Sequence, residues 1–82
     1  MYADAVENYR VWARIEHVAP GEFVVIVRAA PESADPAGVR KLTETCSSYG
    51  AAKAALSALM VKIGKAVSIA EGRVVNTEVD GL

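Results

Sequence analysis

From Tyr9 to Val18 the chain alternates with a period of two: Tyr9, Val11, Ala13, Ile15 and His17 fall on one side, Arg10, Trp12, Arg14 and Glu16 on the other. That pattern predicts a strand with its odd face buried. Ala19-Pro20-Gly21-Glu22 follows as a turn, because proline pre-sets the first central position and glycine supplies positive φ at the second. Phe23 to Ala30 is nearly continuous in apolar residues, as expected of a central strand. A simple two-residue loop pairs Ile15 with Ile26 and turns Arg28 into the core. A bulged or three-residue loop pairs Ile15 with Val25 and turns Phe23, Val25 and Val27 inward. Burying an unpaired guanidinium is costly, so the bulged register is the expected one.

Two prolines, two acids and a serine make Ala30 to Gly38 a surface loop. Residues 39–46 admit a helix with Val39, Leu42, Thr43 and Cys46 on one side. Thr and Val favour a strand and Gly38 disfavours a helix, so we read a third strand. The longest periodic stretch is Tyr49 to Glu71, where Ala52, Leu56, Leu59, Ile63, Ala66, Val67 and Ala70 recur at spacings of three and four. This is an amphipathic helix, with Ser47 or Ser48 as its N-cap and Gly72 as the left-handed residue that closes it. Arg73 to Val79 alternates again, as a short fourth strand.

The predicted fold is α+β, in the order βββαβ: an antiparallel β-meander with one long C-terminal helix packed on one face. A right-handed crossover returns the last strand parallel to the first, in spatial order 3-2-1-4. Residues 1–82 are expected to form one small domain, with 1–8 and 80–82 frayed.

The helix covers one face, so the other is predicted to carry Trp12 with Val24 and Ile26, ringed by Arg10, Arg14 and Arg28. The polar side of the helix is also thin, since Ala54, Ala58, Met60, Val61 and Gly64 lie outside the main stripe. Alanine is the best helix former and is tolerated in water, which is one reading; a second contact surface including Met60 and Val61 is the other.

Composition narrows the function classes. Of 82 residues, 52% are hydrophobic and 23% charged, with a net charge of −1, a globular profile without the basic excess of a nucleic-acid binder. Acids at the N-terminus replace the basic residues of a secretory signal, and three lysines interrupt the helix, so neither export nor a membrane span is expected and the cytoplasm is the expected compartment. One cysteine and one histidine give no disulfide and no zinc spacing, so no metal is expected. No phosphate-binding glycine loop or nucleophile–base set is visible, so no cofactor and no enzyme activity is expected. An apolar centre with an aromatic or arginine anchor and a charged rim is how protein interfaces look. The expected function is therefore a non-catalytic protein-interaction module with a protein partner or a homo-oligomeric one. Base stacking on Trp12 among the arginines, in a nucleic-acid-binding module, is the alternative.

Two family likenesses attach to particular residues. The strand start Tyr9-Arg10-Val11 and the helix start Ala51-Ala52-Lys53-Ala54-Ala55-Leu56, in that topology, resemble the antitoxin partner of HicA-type toxins, which implies toxin binding. That family's Pro-and-Gly-Cys motif after strand two is replaced here by Ala30-Pro31-Glu32-Ser33. The same helix start looks like the last helix of a double-stranded-RNA-binding domain, with Tyr49-Gly50 in place of its paired lysines.

Overall fold

The computed structural model describes residues 7–33 and 36–81. Strands β1 (Glu7–Ala19) and β2 (Glu22–Pro31), a 3-10 turn at Pro36–Gly38 and β3 (Arg40–Cys46) precede helix α1 (Tyr49–Ile69), and β4 (Gly72–Asp80) follows it. The sheet order is β3-β2-β1-β4. β1 pairs antiparallel with β2 and parallel with β4.

The hairpin takes the bulged register. Ile15 lies opposite Val25, and the pairing shifts by one residue between His17 and Ala19, so Val18 is the extra residue. Gly21 holds a φ of +69°, which lets the chain reverse without strain. The shift sends Val25, Val27 and Ala29 into the core, all fully buried, and leaves Arg28 in solvent. Avoiding a buried cation selects the register. On β1, Tyr9, Val11, Ala13 and Ile15 are buried as the alternation predicts.

α1 starts at Ser48, whose hydroxyl accepts a 3.1 Å hydrogen bond from the Ala51 N–H. Ala52, Ala55, Leu56, Leu59, Ile63 and Val67 face the sheet and are buried with the inner side chains of β1 and β2. Helix, sheet and a single apolar layer between them make the core.

Three expectations are corrected. β1, β2 and β3 form the expected antiparallel meander, but the sheet as a whole is mixed and not a single antiparallel one: β4 lies parallel to β1 at its far edge, in the expected order 3-2-1-4. The fourth strand is not short: β4 has nine residues, since the 13-residue β1 offers a long edge to pair with; it follows the helix, as the order βββαβ predicts. The ends are also tied in further than expected. Glu7 and Asn8 belong to β1, opposite Gly72 and Arg73, and the Asn8 carbonyl accepts from the Glu32 N–H at 2.8 Å. Asp80 belongs to β4, and the Gly81 carbonyl accepts from the Tyr49 hydroxyl at 2.8 Å. The rest of the expected fraying, at 1–6 and 82, lies outside the described residues.

β4 carries its own irregularity. Tyr9 pairs with Val74 and Arg10 with Asn76, so Val75 is an extra residue, a bulge. The bulge resets the alternation: Arg73, Asn76, Glu78 and Asp80 share the open face with Trp12, while Val74, Thr77 and Val79 lie on the helix side.

Candidate interaction surface

Pairing places a defined set of side chains on the side of the sheet opposite α1. Trp12 lies opposite Arg28 on β2 and Glu78 on β4, and Arg14 lies opposite Ile26 and Asp80. Arg28 in turn faces Lys41 on β3, and Ile26 faces Thr43. The indole is half-buried by its neighbours, as are Val24 and Ile26, so among the described residues an apolar centre is presented to solvent without a covering layer.

The Arg28 guanidinium carbon lies 4.7 Å from the centroid of the Trp12 ring. A cation over an aromatic face at such a site contributes about 0.5–1 kcal/mol, a bias of a few fold toward this orientation of the indole. Beside it runs an open groove of about 560 Å³, floored by Trp12, Ala13 and Ile26 and walled by Arg28 and Lys41 on one side and Glu78 and Asp80 on the other.

The arginines around Trp12 do not form a one-signed field. Arg10 pairs with Glu32 at 3.6 Å and Arg14 with Glu16 at 3.2 Å, both in solvent. Glu78 and Asp80 add two more carboxylates along β4. Such pairs contribute at most about 1 kcal/mol to stability, yet they cancel the potential that phosphates require.

Of the residues expected in an interaction surface, Arg10, Trp12, Arg14, Val24, Ile26 and Arg28 share this face. Met60 and Val61, expected in a second surface on the helix, lie on the other side of the sheet; Met60 is half-buried against the core and Val61 is 58% exposed. A flexible methionine outside the periodic stripe can fold back onto the core, which a spacing rule overlooks. Lys41, Glu78 and Asp80 were missed, because their faces follow only from strand register and, on β4, from the bulge.

No family model, characterised protein or solved structure matches the chain.

His17, Phe23 and Cys46 occupy one row across β1, β2 and β3 on the helix side. Phe23 stacks on His17 with centroids 4.4 Å apart and stands between it and Cys46, which is two strand spacings, about 9.6 Å, away. Burial raises the Cys46 thiol pKa, and the Glu44 carboxylate beside it, which accepts from Sγ at 3.9 Å, raises it further. A thiol shifted upward is the reverse of an activated nucleophile. Among the described residues no three metal-ligating side chains converge, and no helix is long and apolar enough to cross a membrane.

Proposed function

We propose that the chain is a non-catalytic protein-interaction module that docks a protein partner on the open face of its sheet. The supporting observation is Trp12, half-buried beneath Arg28 at the centre of an uncovered apolar strip whose rim carries both signs of charge. Truncating such an anchor removes packing over the whole pocket that the partner fills, whereas rim charges adjust orientation and association rate. A charge-balanced rim suits a protein surface better than a phosphate backbone.

Capture from a nuclease-treated lysate on the immobilised chain tests this. Retention of a partner is expected to fall roughly thirtyfold with Trp12→Ala, the loss that corresponds to about 2 kcal/mol at a hot spot. Val61→Lys, on the far side of the molecule, is expected to leave retention unchanged. Equal retention by wild type and Trp12→Ala contradicts the proposal. Salt-sensitive binding of a single-stranded oligonucleotide that depends on Trp12 points to the nucleic-acid reading in its place.

A further inference from the structure

We infer that β4 is the seam of a two-fold dimer, in which it pairs antiparallel with β4 of a second copy about Thr77. This deepens the reading of the chain as an interaction module and rests on it in one respect, that the dimer joins two open faces into one.

A free strand edge is an adhesive surface, and soluble proteins protect it with charged side chains, lysine above all, with prolines, bulges or short length. β3, the other edge, is seven residues long and carries Lys41 and Glu44. β4 is nine residues long, has neither lysine nor proline, and exposes Val74 at 38%, Val75 at 47% and Val79 at 42%. Its one irregularity, the bulge at Val75, obstructs a regular partner strand. A second β4, running the other way, has the matching offset.

The match can be followed residue by residue. With Thr77 opposite Thr77 of the second copy, Asn76 faces Glu78, the Val74–Val75 bulge faces Val79, and Arg73 faces Asp80, each contact occurring twice. Every pair joins side chains on the same side of the sheet, because the bulge has already shifted Arg73 and Val74 into phase with Asp80 and Val79. The neighbouring symmetric registers fit less well. Centring on Asn76 places Val79 against Gly72 and leaves Asp80 without a counterpart, and centring on Glu78 sets two carboxylates face to face. α1 lies mainly over β2 and β3, so most of each helix lies away from the seam. The result is one continuous sheet with both Trp12 grooves on one side.

A single strand edge is small beside the roughly 1,200–2,000 Å² of stable interfaces, so association is expected at micromolar concentration. Sedimentation equilibrium up to 500 µM is therefore the measurement. Wild type is expected to dimerise, and Arg73→Glu and Asp80→Arg each to weaken the dimer roughly tenfold, since each sets like charges opposite one another twice. An equimolar mixture of the two variants restores complementary pairs, and its association is expected to return. That recovery also shows that both variants fold. In a Cys46→Ser background, Thr77→Cys is expected to link two copies on mild oxidation and Asn76→Cys is not.

A monomeric wild type, variants that associate like wild type, or a mixture that does not recover overturns the inference. Preferential cross-linking through Asn76→Cys overturns the register. Trp12→Ala is expected to dimerise normally. If it instead abolishes the dimer, the open face and not β4 is the contact, and the inference falls while the interaction-module reading stands.

Discussion

Replacing Ile63 by alanine is expected to lower the unfolding free energy by about 3 kcal/mol, within the range of about 2–5 kcal/mol for truncating a buried aliphatic side chain. Ile63 is 1% exposed, among the largest fully buried side chains of the chain, and belongs to the same buried cluster as Val25, Val27 and Leu59. Among the described residues only one apolar layer separates the helix from the sheet, and no second core takes up the loss. A domain of this size has about 4–12 kcal/mol of stability in all. The variant is therefore expected to unfold at a temperature lower by roughly 12–24 °C in a calorimetric or circular-dichroism melt. Val61→Ala, two residues away and 58% exposed, is expected to change stability by no more than about 0.5 kcal/mol. A similar loss from both variants is incompatible with α1 burying one face only.

The contrast between Ile63 and Val61 was only half legible in the sequence. Spacings of three and four identify Leu56, Leu59, Ile63 and Val67 as the buried stripe, because a helix has no other way to bring them together. The same spacing rule grouped Met60 with Val61, although one packs against the core and the other projects into solvent. On the sheet, the alternation from Tyr9 to Ile15 fixed which face Trp12 occupies, and the cost of burying Arg28 chose the hairpin register. What remained hidden was the register of β4. The strand itself is legible from the alternation after Arg73, but its facing is not: its residues are all exposed or half-buried, so burial does not mark one side, and a bulge at Val75 is invisible when Val74 and Val75 are interchangeable by composition. The acidic half of the Trp12 groove, Glu78 and Asp80, was hidden with it. The arginine ring read from β1 and β2 alone thus looked more basic than the assembled face is.

The junction between α1 and β4 supplies the second large effect, and there the expected role of a glycine is carried by its neighbour. Glu71, not Gly72, holds the left-handed conformation that ends the helix, with φ of +59°, after its N–H bonds to the Ser68 carbonyl at 2.9 Å. Gly72 is glycine because of crowding. A Cβ built there would overlap the Tyr9 ring and lie 2.9 Å from a methyl of Val67, and both side chains are buried. Neither can retreat without displacing the core, so Gly72→Ala is expected to destabilise by about 1–3 kcal/mol, the usual penalty for overpacking, and to lower the melting temperature by roughly 4–24 °C. One position earlier the same logic reverses its sign. Glu71→Gly removes the strain of a side chain at positive φ, set against a greater loss of backbone entropy on folding, and is expected to be neutral to stabilising by up to about 1 kcal/mol. Melts of the two variants side by side decide the assignment. If Gly72→Ala is harmless and Glu71→Gly harmful, the helix ends as its sequence first suggested, and Tyr9 does not pack over the first residue of β4.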